Sequence, residues 1–229
     1  MTMLNGRLRP AEMAAYEVDH DALAVLYRPL VRTLLRMPPR GLSDSLLVGL
    51  TGCARGEGVT TVAIDLAWAA AHGLSQSVAL VDAHPAHPDL GSMLAPHQEQ
   101  GMADAIISGQ DPSQFAASFL LENLNVLPAG SPETRAQLFD DASRFLLALA
   151  HLRQRHRLVI CDLPPLDEGG SLLKAAAGLD GLLLVVDAER ARGEIVDQVT
   201  RQVAAANGRL WGAILNKGPT SRASLVGRI

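Results

Sequence analysis

Aromatic residues are scarce: Phe, Trp and Tyr make up 3% of the 229 residues. With 48% hydrophobic residues the chain still has enough apolar side chains for a sizeable core, which must be built from Leu, Val, Ile and Ala. Cysteine occurs twice, at Cys53 and Cys161. Neither has a second Cys or a His at metal-ligand spacing, which excludes a disulfide framework and a structural zinc site; both read as reduced, intracellular thiols. No run approaches the roughly 20 apolar residues of a membrane helix, and the N-terminal "MTMLNGRLRPAEMAAYEVDHD" lacks the apolar stretch of a signal peptide. A cytoplasmic protein without direct membrane insertion is expected. An excess of positive charge is also missing. The formal net charge is −4, which removes the electrostatic case for a nucleic-acid partner. There are no repeats and no low-complexity tract.

The length fits one large domain, or one domain with an extension. Residues 1–41 read as an N-terminal helical arm. Apolar residues at Leu23, Leu26, Leu30, Leu34 and Leu35 have helical spacing, which Pro29 weakens in the middle and Pro38-Pro39 ends. From residue 42 to 229 strand and helix signals alternate. "LLVGL", "SVALVDA", "LNVLPAG", "RLVICDLPP", "GLLLVVDAE" and "RLWGAILNK" read as strands. "VTTVAIDLAWAAAHG" reads as a helix closed by Gly73, "GMADAIISG" as a short one, "TRAQLFDDASRFLLALAHLRQRH" as a long one and "ARGEIVDQVTRQVAAANG" as the last. Continuous Val/Leu/Ile runs separated by helices predict an α/β, doubly wound, mostly parallel sheet with helices on both faces. Ligands of such sheets sit at the carboxyl ends of the strands. The polar residues to weigh are therefore Gly52 to Thr61, Asp82 to His87, Asp162 to Asp167, Asp187 and Asn216.

"CARGEGVTT" lies at the first strand-to-helix junction. Gly56 and Gly58 let the backbone turn its N–H groups toward an anion, the helix that follows adds its positive dipole end, and the Thr60 hydroxyl is placed to hold Mg²⁺. Measured against G-x-x-x-x-G-K-[ST], Cys53 stands for the first glycine and Val59 for the lysine. A charge-assisted hydrogen bond is worth about 1.5–3 kcal/mol, so its loss costs on the order of 10–100-fold in affinity and more in hydrolysis. Arg55 is the loop's one cation and starts from the wrong side of the turn. The plain alternative is a tight connection that binds nothing. Asp82 and Asp162 each end a buried apolar strand, where P-loop proteins present Mg²⁺-linked carboxylates. Either alone would read as a turn cap; two beside a Gly loop favour a site. His84 and His87, set among prolines, read as turn residues, and Trp68 and Trp211 as core. Arg153, Arg155 and Arg157 suit the C-terminal end of a helix.

"GEGVTT", "LVDAHPAHPDL", "LNVLPAG", "VICDLPPL" and "LLLVVDAE" together resemble the bacterial polysaccharide-associated tyrosine kinases of the CpsD/CapB type, within the MinD/ParA-like group of P-loop ATPases. The resemblance spans roughly Ser43 to Lys217. It implies a P-loop NTPase-like fold, ATP or ADP with Mg²⁺ as cofactors, and Arg55, Gly56, Glu57, Gly58, Val59, Thr60, Thr61 and Asn216 as nucleotide contacts. Thr60, Asp82 and Asp162 would surround the metal, the two carboxylates being catalytic if the protein is active. Departures accompany it. Val59 replaces the lysine, and His84 replaces the second Asp of the family's D-x-D. Ala86-His87-Pro88 stands for R-R-P, the Tyr-rich tail has no counterpart in the final "TSRASLVGRI", and only Arg28 matches the assembly motif E-x-x-R-x-x-R, Val25 and Val31 departing from it.

The expected function is therefore a degenerate, weakly or non-catalytic relative of these kinases that regulates exopolysaccharide or capsule synthesis or export. The implied partner is the cytoplasmic tail of an inner-membrane, Wzz-like co-polymerase, which would hold the protein peripherally at the membrane; a homo-oligomer is also implied. Two alternatives stand beside it. An active ATP-dependent tyrosine autokinase would use Tyr16 or Tyr27 as acceptor. A MinD/ParA-like positioning ATPase fits poorly with the acidic balance and with Ala54, where those ATPases carry a second lysine.

Overall fold

In the computed structural model the described residues are 24–40, 44–166, 173, 175–190, 193–218 and 225–226. Tyr16, Asp167, the start of the arm and most of the chain after residue 218 lie outside them. Among the described residues eight strands form one sheet: β1 (Leu46–Gly52), β2 (Val78–Asp82), β3 (Ala117–Phe119), β4 (Leu121–Leu127), β5 (Leu158–Asp162), β6 (Gly181–Asp187), β7 (Leu210–Asn216) and β8 (Leu225–Val226). Their order is β3-β4-β2-β5-β1-β6-β7-β8. The six strands legible in the sequence run parallel. The two edge strands, β3 and β8, pair antiparallel with β4 and β7 and were not foreseen. They are two or three residues long, too short for a period-2 pattern to register.

β1, β2, β5 and β6 are buried at every position, because helices cover both faces. Alternate residues feed two separate cores. Leu46, Val48 and Leu50 meet a layer made by the helix over residues 24–34, here α1, and by α2 (Val59–Leu74). Leu47, Val159, Cys161 and Leu184 meet a layer that includes α4 (Met102–Ser108), α5 (Ala142–Arg153) and α6 (Gly193–Ala205). The short α3 (Asp89–Leu94) follows β2 and completes the first layer with Leu90 and Leu94.

The helices differ from the sequence reading in three places. α1 runs through Pro29 as the spacing predicts, but it buries Ala24, Tyr27, Leu30, Val31 and Leu34 and leaves Leu26 exposed; the buried stripe is rotated from the leucine stripe. α2 ends at Leu74, with Ser75 in the left-handed cap position at φ 51°. Gly73 instead makes room for α1, since a Cβ there would lie 2.6 Å from Nε of Arg28. The long helix after Thr134 is broken: a 3₁₀ turn covers Arg135–Gln137, and α5 starts only after Asp141, whose carboxylate accepts from the N–H groups of Ser143 (2.8 Å) and Arg144 (3.3 Å). A side-chain N-cap of this kind restarts a helix more favourably than continuing one through Asp140-Asp141. The basic end of α5 is used internally: Arg155 pairs with Asp111 at 2.8 Å. Among the described residues no helix is long and apolar enough to cross a membrane.

Asp180, wholly buried before β6, ties down the amino-terminal edge of the sheet. It accepts from the backbone N–H of Leu47 (2.7 Å) and of Arg40, and pairs with Arg153 at 2.9 Å. Removing one member of a buried pair strands the other charge. Asp180→Ala is expected to destabilise the protein by about 3 kcal/mol, read as a lower denaturant midpoint with an unchanged slope.

Candidate functional site

Parallel pairing brings the ends of β1, β2 and β5 to one edge. Asp82 and Asp162 are register partners on β2 and β5, so two carboxylates lie side by side next to the turn that leaves β1. That turn needs its glycines. Gly56 (φ 84°) and Gly58 (φ 88°) are left-handed, and a Cβ on Gly58 would lie 2.2 Å from the Asn216 amide nitrogen. α2 then opens without a side-chain cap, leaving its first N–H groups directed outward. A cleft of about 360 Å³ lies over this helix start, lined by the loop from Ala54 to Thr61, by His84, His87, Asp89, Ser92 and Met93, and by Asp162, Leu163 and Pro165.

The structure assembles the expected residues unevenly. Thr60 and Asp162 both line the cleft, with the Thr60 hydroxyl near enough to the Asp162 carboxyl to favour its ionised form. Burial pushes the Asp162 carboxyl up to about 7; the Thr60 hydroxyl pulls it back, and the charges of Asp82 and Asp89 push it further up. Asp82 does not line the cleft. Its carboxylate accepts from the backbone N–H groups of His84 (3.1 Å), Leu90 (3.1 Å) and Gly91 (3.4 Å), which anchors the first turn of α3. Burial nevertheless raises its pKa to about 7, against those three donors and with Asp89 adding repulsion. A hydroxyl and an uncompensated buried carboxylate are the hard oxygen donors that Mg²⁺ accepts. Thr60 and Asp162 fit that ion, with Asp82 contributing negative charge from the adjacent strand. A bound Mg²⁺ would neutralise phosphate charge and hold the phosphates in place.

The rest of the loop is held by its neighbours. Glu57 folds its carboxylate back onto the N–H groups of Cys53 (2.5 Å) and Ala54 (3.1 Å). The Asn216 amide donates to the Glu57 carbonyl at 2.8 Å. Val59 packs partly into the core above α2, with a methyl near the Gly52 backbone. Arg55 spans the mouth of the cleft, its guanidinium donating to Nδ1 of His87 at 2.9 Å. His87 therefore carries its proton on Nε2, and its ring meets that of His84 edge-on at 5.3 Å. Among the described residues no group of three or more His, Cys, Asp or Glu side chains is placed to hold a metal ion by itself, so any Mg²⁺ would depend on Thr60, water and ligand oxygens as well.

Sequence reasoning missed Lys217. Its ammonium reaches the Gly56 carbonyl at 2.5 Å and Asp187 at 3.3 Å. Its position directly after Asn216, at the end of a buried strand, was the available signal. Asp89, Ser92 and Met93 in the cleft wall were also missed, because they enter through α3, an element only six residues long.

A Gly loop between strand and helix, flanked by strand-end carboxylates on a parallel sheet, defines a P-loop NTPase-like protein. Residues 46–206 match the family described as cellulose biosynthesis protein BcsQ, and the chain belongs to that family. It is similar to a putative tyrosine-protein kinase CapB of Staphylococcus aureus, 24% identical over 79% of this chain and 78% of that protein. The kinase domain of VpsO has the same fold, with a TM-score of 0.73 at 24% identity over 89% of this chain and 98% of that one. So does cobyrinic acid a,c-diamide synthase of Mycobacterium smegmatis, solved with an ATP analogue and magnesium (TM-score 0.62, 18% identity, 78% of this chain and 76% of that one). The resemblance to CpsD/CapB-like P-loop proteins is thus shown.

The two raised carboxyls set a pH dependence. Unfolded, they ionise near pH 4; folded, they keep their protons to about pH 7. The folded state binds more protons between these values, so stability falls as pH rises through that window. Asp162→Asn is expected to raise Tm clearly at pH 8 and much less at pH 5. Mg²⁺ should raise the Tm of the natural protein at pH 8 and not that of the variant. Thermal unfolding at the two pH values, with and without Mg²⁺, checks both.

Proposed function

We propose that this protein is a catalytically degenerate relative of the bacterial polysaccharide tyrosine kinases. It binds Mg²⁺-nucleotide weakly and regulates exopolysaccharide or capsule synthesis or export through the cytoplasmic tail of an inner-membrane co-polymerase. The observation that carries this reading is a divided site. The metal side, Thr60 beside Asp162, is intact in the cleft lining, whereas the position that should supply a phosphate-binding ammonium is Val59, turned partly into the core. The carboxylate of Glu57, 8% exposed on the loop's own N–H groups, adds negative charge where triphosphate charge would accumulate. Binding needs only backbone donors and a metal; phosphoryl transfer needs the charge in its transition state as well.

The autokinase reading loses one of its two acceptors. Tyr27 is 7% exposed in α1, and burial followed by the charge of Asp65 pushes its hydroxyl well above the usual tyrosine range. A buried phenol with a suppressed phenolate is a poor phosphoryl acceptor. Tyr16 lies outside the described residues.

Calorimetry with Mg²⁺-ADP and Mg²⁺-ATP, on the natural protein and on Val59→Lys, tests the proposal. The natural protein should bind both, and Val59→Lys should bind roughly 10–100-fold more tightly. Turnover of ATP, or phosphotyrosine formation by the natural protein at a rate matching Val59→Lys, would contradict degeneracy.

A further inference from the structure

Lysine is rare in this chain: two of the twenty basic residues, Lys174 and Lys217. Lys217 stands at the end of β7 with φ 59°, a left-handed conformation that is unfavourable for any residue with a Cβ and persists where the surroundings require it. That backbone turn delivers the ammonium to the outside of the phosphate loop, 2.5 Å from the Gly56 carbonyl, with Asp187 holding it at 3.3 Å. Asn216, one residue earlier, takes the next carbonyl, that of Glu57, at 2.8 Å.

Two consecutive loop carbonyls are therefore gripped from the β7 side. The described peptides include no cis bond, and in a trans peptide C=O and N–H point in opposite directions. The N–H groups that share those two peptides, on Glu57 and Gly58, consequently turn away from β7. In the strand order β2-β5-β1-β6-β7, that is toward β5 and β2, the side on which the cleft opens. A cation on a carbonyl draws electron density along the peptide and strengthens its N–H as a donor, and hydrogen bonds in such chains reinforce one another.

We propose that Lys217 is a positioning residue for the phosphate loop. From behind the loop it orients and polarises the Gly56–Glu57 peptide, so that part of the charge missing at Val59 reaches the ligand through the backbone. Asn216 performs the orienting half of this task on the following peptide, without charge. The proposal rests on the nucleotide-binding reading of the cleft given above. It adds the source of the loop's remaining anion affinity.

The test uses the full chain, as the natural protein, as Lys217→Asn, which tolerates a left-handed φ and removes the ammonium, and as Lys217→Arg, which keeps a cation. Amide ¹⁵N spectra of the ligand-free proteins and titrations with Mg²⁺-ADP are recorded on all three, with Tm as a check on folding. In Lys217→Asn the ¹⁵N resonance of Glu57 should move upfield, Tm should stay within a few degrees, and Mg²⁺-ADP affinity should drop roughly fivefold or more. Lys217→Arg should recover most of that affinity. An unmoved Glu57 resonance overturns the grip on the peptide. A moved resonance with unchanged affinity, or an affinity lost equally in Lys217→Arg, overturns the charge role and leaves a mechanical tether. If the natural protein and both variants all fail to bind Mg²⁺-ADP, the nucleotide reading itself is overturned and the charge role with it. That pattern is distinct from a defect confined to the variants.

Discussion

Parallel pairing of β1 with β5, and of β5 with β2, is the constraint on which the rest of the molecule depends. Parallel strands end on the same edge, so a loop and two carboxylates separated by up to about a hundred residues in sequence meet there without further design. The same pairing demands crossover helices, which bury both faces of the sheet and explain why β2, β5 and β6 contain no charged residue until their last position. That last position is where Asp82, Asp162 and Asp187 stand. The apolar environment that stabilises the strands is also what makes the first two carboxyls reluctant to ionise.

Around the loop, charge has been redistributed more than lost. The direct ammonium is gone with Val59, but Lys217 lies behind the loop and Arg55 across its mouth, while Glu57 offsets them from within. Neither cation occupies the place of the missing one. Arg55 is engaged by His87, and Lys217 touches the Gly56 carbonyl and Asp187 rather than the space where a phosphate would sit. An arrangement of this kind can hold an anion in a fixed pose. It cannot follow charge as it moves from one oxygen to another during phosphoryl transfer, and this separates binding from catalysis in physical terms.

The parallel strands, the Gly loop and the strand-end acids were legible in the sequence because each is local: a run of branched aliphatics, a pair of glycines, an Asp after a strand. The two edge strands were not, being set by what β4 and β7 leave unpaired. Gly73 was assigned to a helix cap because glycine commonly ends helices; its actual partner, Arg28, is forty-five residues away and invisible to a local pattern. Asp82 shows the complementary error of emphasis. Its place beside Asp162 followed from strand ends alone, but its engagement with α3 depends on how the chain turns after His84, where prolines break any periodicity. Lys217 was passed over because the search for a cation was confined to the loop's own residues.

The packing of α1 also settles where this protein can be cut. Ala24, Tyr27, Leu30, Val31 and Leu34 belong to the same apolar cluster as Trp68 and the strand residues beneath it. The helix that reads in sequence as part of an N-terminal arm is, by its contacts, part of the wall that keeps water from α2. A shortened version beginning at residue 42 would uncover that wall along the helix whose first turn carries Thr60. Expression boundaries for this protein, and for chimaeras that borrow its sheet, belong upstream of residue 24.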